Sequence, residues 1–110
     1  MSTKTAAITA VGAYVPDFIL SNQVLETMVD TNDEWITSRT GIKERRALKG
    51  DGLGTSYLAI KAAQDLIKKS NLDPKEIDLV IVASTTPDMQ VAATAVYVAT
   101  QIGAVNAFAY

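Results

Sequence analysis

The chain has no cysteine and no histidine among its 110 residues. Without cysteine there is no disulfide framework and no thiolate metal site. Without histidine the commonest general base and metal ligand is also missing, so no metal centre is expected. Positive charge is not in excess either. The formal net charge is −2, which argues against nucleic acid as a partner, because that recognition needs a clustered basic face. No apolar run approaches the roughly 20 residues of a membrane-spanning helix, and Met1-Ser2-Thr3-Lys4-Thr5 lacks the apolar core of a secretory signal. These absences make a cytoplasmic protein that does not enter a membrane the default expectation. What is present is a 48% hydrophobic composition, enough for one globular domain with a modest core.

The apolar pattern predicts alternating strands and helices. Thr5 to Val15 is mostly small and apolar and is expected as a buried strand closed by Pro16, although a short apolar run does not by itself separate strand from helix. Gly12 inside it marks a close backbone approach or a bulge. Ser21 to Val29 follows as a helix capped by Ser21 or Asn22, with Val24, Leu25, Met28 and Val29 as its buried stripe. Ile42 to Leu48 is charged in the middle and reads as an exposed extended segment. Gly50-Asp51-Gly52-Leu53-Gly54 fits neither a dinucleotide fingerprint nor a P-loop and is expected as a surface loop.

Thr55 to Ser70 carries the clearest helical stripe, Leu58, Ala59, Ala62, Ala63, Leu66 and Ile67, with Lys68 and Lys69 at the end favoured by the helix dipole. Asn71-Leu72-Asp73-Pro74 turns the chain, with Asp73 and Glu76 as a capping pair and Pro74 at a first helical position. Leu79 to Ala83 is β-branched and uninterrupted, the pattern of a strand buried on both faces of a parallel sheet. Thr85-Thr86-Pro87-Asp88 is then a loop at that strand's C-terminal end, where ligands of open α/β sheets tend to lie. Ser84 nearby has no histidine partner and is not expected to act as a nucleophile. Val91 to Ile102 is expected as a helix ending at Gly103, so poor in charge that it should be buried nearly all round or at a subunit interface. Asn106 to Tyr110 begins another strand. A long helix leading into a buried strand is the rhythm of a layered α/β domain.

One stretch stands apart. Asp30-Thr31-Asn32-Asp33-Glu34-Trp35-Ile36-Thr37-Ser38-Arg39-Thr40-Gly41 reads as a helix of about two turns over Asn32 to Thr40. Thr31 and Glu34 fit a capping box, and Gly41 can take the left-handed conformation just past the end. The chain's one tryptophan, Trp35, and Arg39 share a helix face, with Thr31, Thr37 and Thr40 supplying hydroxyls around them. An indole beside a guanidinium can stack a flat ring and grip an anion, as a nucleotide-bearing ligand requires. The alternative is a Trp anchor in the core beside a solvated Arg. Lys43, Arg45 and Arg46 likewise admit two readings: solvated surface charge, or positive potential beside the Trp35 helix for ligand phosphates or an acidic carrier protein.

The run Met28 to Ile36 with Arg39-Thr40-Gly41-Ile42-Lys43-Glu44-Arg45 resembles the signature of the β-ketoacyl-acyl carrier protein synthase III family of thiolase-like condensing enzymes. Gly12-Ala13-Tyr14-Val15-Pro16 and Asp78 to Asp88 agree with it in order, so the resemblance spans essentially the whole chain. It implies an α/β, layered thiolase-like fold, of which residues 1–110 would be the N-terminal part of the first half-domain, an incomplete mixed sheet with helices packed on it. It implies an acyltransferase that initiates type II fatty-acid synthesis by condensing acyl-CoA with malonyl-acyl carrier protein, with coenzyme A thioester as substrate, no permanently bound cofactor, and a homodimer.

Carried over residue by residue, the resemblance implies that Trp35 stacks on the adenine of coenzyme A while Thr31 and Arg39 hold the nucleotide, with Thr40 a further candidate. The family's cysteine nucleophile and its histidine and asparagine partners have no counterpart in the 110 residues. The chain is therefore expected to be a truncated or cleaved piece, inactive by itself. Its uncovered apolar helix and strand edge are expected to make it self-associate. Ala92-Ala93 stands where many members have Phe-Pro, which opens acyl-chain specificity to a longer or branched primer. A second function class stays open beside the enzyme: a nucleotide- or partner-binding piece using the same Trp35–Arg39 surface without chemistry. Condensing enzymes of secondary metabolism share the pattern too.

Overall fold

The computed structural model describes residues 3–89 and 93–110. In chain order the elements are β1 (Phe18–Ser21), α1 (Asn22–Glu26), α2 (Asp33–Thr40), β2 (Glu44–Ala47), α3 (Thr55–Ser70), a 3-10 turn (Pro74–Glu76), β3 (Leu79–Val80), α4 (Thr94–Ile102) and β4 (Phe108–Ala109). They fall into two compact units, Val15–Leu53 and Met1–Tyr14 with Gly54–Tyr110. Among the described residues no helix is long and apolar enough to cross a membrane.

In the Val15–Leu53 unit β1 pairs antiparallel with β2, Phe18 opposite Ala47 and Ser21 opposite Glu44. The extended segment expected at Ile42 to Leu48 is thus β2. Its partner β1 was not expected, because a four-residue strand carries too little periodicity to announce itself. The Lys49 ammonium lies 3.5 Å over the Phe18 ring. Ser21 caps α1 by accepting from Val24 N–H, as expected. The helix nevertheless ends at Glu26 rather than Val29, with Thr27 closing it on the Val24 and Leu25 carbonyls. The expected apolar stripe is therefore not buried: Val24, Met28 and Val29 are exposed, the last two having left the helix before its face could carry them inward. The buried residue of α1 is a polar one, Asn22.

α2 also departs in its start. Its N-cap is Asn32, whose Oδ1 accepts from Trp35 N–H at 2.8 Å, so the Thr31–Glu34 capping box does not form. Asn32 is extended there, and an Asn cap is at least as good as a Thr one. At the other end Gly41 is left-handed, φ 71°, and its N–H bonds Thr37 O, as expected.

In the second unit α3 and α4 pack on each other, and β3 runs parallel to β4, Leu79 beside Phe108 and Val80 beside Ala109. The parallel pairing was expected; burial on both faces was not found. Leu79 and Ile81 point outward and are exposed, since among the described residues helices cover only one side of this pair. α4 is similarly one-sided. Thr94, Ala95, Val98 and Ala99 are buried, while Val96 and Tyr97 are about half exposed. It begins at Thr94 with Ala93 as its N-cap; Val91 and Ala92, where the helix was expected to start, lie outside the described residues. Gly103 ends it in the left-handed conformation, and Asn71 does the same for α3. Asp73 caps the 3-10 turn on Lys75 N–H.

The expected strand at Thr5 to Val15 is absent. Residues 3–17 form no regular element, and Ile8 is 90% exposed. A strand needs a neighbouring strand to take its N–H and C=O groups, and no described strand forms a ladder with this segment. It is held to α3 instead. Ala13 N–H donates to Asp65 Oδ2 at 3.0 Å, Tyr14 meets Tyr57 edge to face at 5.8 Å, and Gly12 lies so close to α3 that a Cβ would strike Ala62 O and Leu66 N. The close approach expected at Gly12 is present.

α3 has a cap that its own sequence lacks. Gly54 at the N-cap offers no side chain, and Asp88 arrives from the loop after β3 to take its place. The Asp88 carboxylate accepts from Ser56 N–H at 2.9 Å and from Ser56 Oγ at 3.1 Å, and Thr94 Oγ1 reaches it at 3.4 Å. A Cβ on Gly54 would collide with Asp88 Oδ1, so glycine is what lets the carboxylate in.

Candidate functional site

The residues around α2 form a polar cluster with an aromatic surface. Trp35 is 54% exposed, and the Arg39 guanidinium carbon lies 5.0 Å from its ring centroid. Their four-residue spacing puts them one turn apart, and 5.0 Å is within the range of a cation–π contact. The only ion pair among the described residues is Lys69 with Asp65, so no carboxylate occupies Arg39. Its N–H groups remain available to an anionic ligand. A cleft of about 220 Å³ beside the indole is lined by Asp30, Thr31, Asn32 and Trp35. Asp30 places a carboxylate in that cleft, so an anion is better accommodated at Arg39 than on the cleft floor.

Three of the four expected site residues are thus brought together. Thr31 and Trp35 share the cleft, and Arg39 stands over the indole. Thr40 is not with them. Its hydroxyl donates to Ile36 O at 2.7 Å and accepts from Ile42 N–H at 3.1 Å, which commits it to closing the helix. Of the three basic residues after the helix, Arg45 is not free surface charge: both terminal nitrogens donate to Asn22 Oδ1 at 3.0 Å. Arg46 reaches back to Pro16 O at 3.4 Å. Lys43 is exposed and remains the basic group beside α2 that can add field at the site.

Sequence reasoning missed what holds the site. Asn22 is completely buried. Its Nδ2 donates to Asp33 Oδ1 at 2.7 Å and to Ile42 O at 2.8 Å, with Thr37 Oγ1 farther off at 3.4 Å. Asp33 N–H in turn donates to Glu26 Oε1 at 2.6 Å, which adds a third carboxylate to Asp33 and Glu34 at the positive end of α2. The sequence offers Asn22 only as a cap, and no periodicity signals that a polar residue at the start of a short helix will be fully buried.

The second unit offers an open depression at the C-terminal end of β3, lined by Val82, Ala83, Ser84 and Thr85. Ser84 Oγ accepts from Thr86 N–H at 3.1 Å and lies 3.4 Å from Thr55 Oγ1. It braces the loop, and its hydrogen-bond neighbours among the described residues, Thr55 Oγ1 and Thr86 N–H, are not bases.

No protein-family model matches the chain. Individual proteins do. A β-ketoacyl-[acyl-carrier-protein] synthase III of Bacteroides thetaiotaomicron is 54% identical over 110 residues, all of this chain and 33% of that protein. Among solved structures, 3-oxoacyl-[acyl-carrier-protein] synthase III of Aquifex aeolicus superposes with a TM-score of 0.84 at 44% identity, over 92% of this chain and 32% of its own. The priming β-ketosynthase of the R1128 polyketide pathway does so with a TM-score of 0.82 at 34% identity, over 90% of this chain and 29% of its own. The chain therefore spans about a third of the length of the relatives it matches. In sequence the whole of this chain, and in its layered, thiolase-like α/β fold 92% of it, matches about a third of a β-ketoacyl-acyl carrier protein synthase III.

Proposed function

We propose that these 110 residues are part of a thiolase-like condensing domain, and that their contribution to it is the nucleotide end of an acyl-CoA site. Trp35 stacks the adenine, Arg39 takes a phosphate, and Thr31 closes the cleft beside the indole. The observation that carries this reading is the Trp35–Arg39 pair, a half-exposed indole under a guanidinium that no carboxylate neutralises. Neither group is used up by the fold. Thr40 acts behind them as the helix closer.

The reaction proposed for the whole protein is the initiating condensation of type II fatty-acid synthesis. A thiolate attacks the acyl-CoA carbonyl and releases coenzyme A. Decarboxylation of malonyl-acyl carrier protein then gives CO2 and an enolate carbon that attacks the acyl-enzyme, forming β-ketoacyl-acyl carrier protein and freeing the thiolate. The chain has no cysteine or histidine, so the thiolate and its base belong to residues other than these. The working enzyme is proposed to be a cytoplasmic homodimer with coenzyme A thioester as substrate and no resident cofactor. The likeness to a polyketide priming synthase supports a second reading, a condensing enzyme of secondary metabolism; separately, the Ala92-Ala93 sequence leaves room for a longer or branched primer, which comparing acetyl-CoA with longer acyl-CoAs in the complete enzyme tests.

Trp35 is the chain's one tryptophan, so its fluorescence reports this site alone. Coenzyme A titrated into the chain is expected to quench it, and Arg39→Ala to weaken the affinity by about tenfold, the loss of one charge-assisted contact. In the complete enzyme Trp35→Ala is expected to raise KM for acyl-CoA with kcat little changed. Absence of quenching, or an Arg39→Ala affinity equal to wild type, overturns the assignment.

A further inference from the structure

We infer that Asn22 is a positioning residue, the group that fixes the rotation of α2 about its own axis and so holds the Trp35–Arg39 pair open to a ligand. The inference rests on the nucleotide reading of that pair for its function, but its geometry is independent of it.

The argument begins with what α2 lacks. It has one buried apolar residue, Ile36, and no apolar stripe to seat it in a fixed orientation. Apolar burial is also non-directional, so a single Ile leaves rotation about the helix axis poorly determined. Hydrogen bonds are directional and fill that role. At about 100° per residue, Asp33 and Thr37 lie on one side of the axis, and Trp35 and Arg39 lie about 200° to 240° round from Asp33. Asn22 donates to Asp33 Oδ1 on that inner side and to Ile42 O just beyond the helix end, at 2.7 and 2.8 Å. The anchored face and the ligand-facing pair are therefore opposite sides of one short helix.

Asn22 is itself immobilised. It is 0% exposed, and Arg45 grips its Oδ1 with two nitrogens at 3.0 Å. That grip also fixes which end of the amide is the donor, because a guanidinium can only donate. Arg45, two residues after Lys43, thus acts on the site through Asn22 and not through its field.

Two readouts test this on the intact 110-residue chain: the near-UV circular dichroism of Trp35, and quenching of its fluorescence by adenosine 3′,5′-bisphosphate. Asn22→Asp keeps an acceptor for Arg45 but can no longer donate to Asp33 or Ile42 O. It is expected to diminish the Trp35 band and to weaken the nucleotide by about tenfold while far-UV dichroism still reports a folded chain. The exchange Asn22→Asp with Asp33→Asn restores the bond with donor and acceptor reversed and is expected to recover most of both signals, which a general loss of stability would not do. Asp33→Ala, which leaves Asn22 and Arg45 in place, is expected to change the Trp35 band in the same direction and serves if the first variant does not fold. A wild-type Trp35 band in the folded single variants, or no recovery in the exchange, overturns the proposal. If the wild-type chain shows no quenching but the band still follows Asn22, the positioning stands and the nucleotide reading of the pair falls.

Discussion

α2 and α4 are nearly the same length, 8 and 9 residues, and they are held in opposite ways. α4 carries no charged residue and buries Ala95, Val98 and Ala99 against its unit. α2 carries Asp33, Glu34 and Arg39, buries only Ile36, and is gripped by the amide of Asn22. The difference follows from what each has to do. Apolar packing places a helix in a layer and tolerates small rotations, because its energy depends on area. A stacking pair needs a defined rotation, which directional bonds supply. The unit with the site is accordingly organised around a polar residue, and the unit without it around alanine and valine.

The largest effect should come from removing that polar centre. Asn22→Ala leaves the Arg45 guanidinium facing a cavity without its acceptor and the Asp33 carboxylate with only the Thr37 hydroxyl at 3.2 Å. It is expected to destabilise the chain by about 3 kcal/mol, read as a fall in the urea midpoint. A loss below about 1 kcal/mol would mean that water replaces the amide and that the contrast with α4 is false. On the other side of the comparison, Val98→Ala in α4 is expected to cost about 2 kcal/mol, two buried methyl-sized groups plus the space they leave. Val96→Ala, two residues earlier and so on the other face of α4, at a site 53% exposed, should stay within about 0.5 kcal/mol. Equal losses at the two valines would show that both faces of α4 are covered in solution.

Asp88→Ala should fall next, at about 1 kcal/mol, because it strips α3 of the cap that Gly54 cannot provide. Thermal unfolding of Asp88→Asn, which can still accept from Ser56 N–H but loses the charge, separates the hydrogen bond from the interaction with the helix dipole. A full recovery in the Asn variant would assign the cap to hydrogen bonding alone.

What could be read from the sequence was whatever depends on neighbours along the chain. Ser21 and Asp73 as caps, Gly41 and Gly103 as left-handed ends, the full extent of α3 and the Trp35–Arg39 spacing are all local, and all are found in the structure. What could not be read depends on residues distant in sequence. Asp88 caps a helix that begins more than thirty positions earlier, and Arg45 reaches Asn22 across 23. Leu79 to Ala83 was expected to be buried, and α4 to be buried all round or at a subunit interface; within this chain Leu79, Ile81, Val96 and Tyr97 are exposed for a related reason. An apolar run reports that a surface can be covered, not that a covering layer lies among these residues. Thr40, the further candidate that the family resemblance adds, has its hydroxyl in two backbone hydrogen bonds at the end of α2, which its sequence position alone does not announce.

The smallest expected effect is a pH dependence at the tether between the irregular segment 3–17 and α3. Asp65 Oδ2 accepts from Lys69 Nζ at 2.6 Å and from Ala13 N–H at 3.0 Å. The hydrogen bond from Lys69 is the larger cause and the one from Ala13 the next of a carboxyl pKa held below the ordinary value of 3.8. The folded chain therefore binds this proton less readily than the unfolded one. The stabilisation is fully present above the unfolded pKa and is lost as pH falls through the lower, folded value. Because Asp65 lies at the surface, salt screens the Lys69 contribution. Acid titration of the intact chain followed by Tyr14 and Tyr57 near-UV dichroism should show the tether released only below pH 3.8, and Asp65→Asn should flatten that step while leaving the Trp35 band unchanged. A Trp35 band that moved with Asp65→Asn would couple the tether to the polar centre at Asn22, and the division between a directionally bonded site helix and an apolar scaffold would no longer hold.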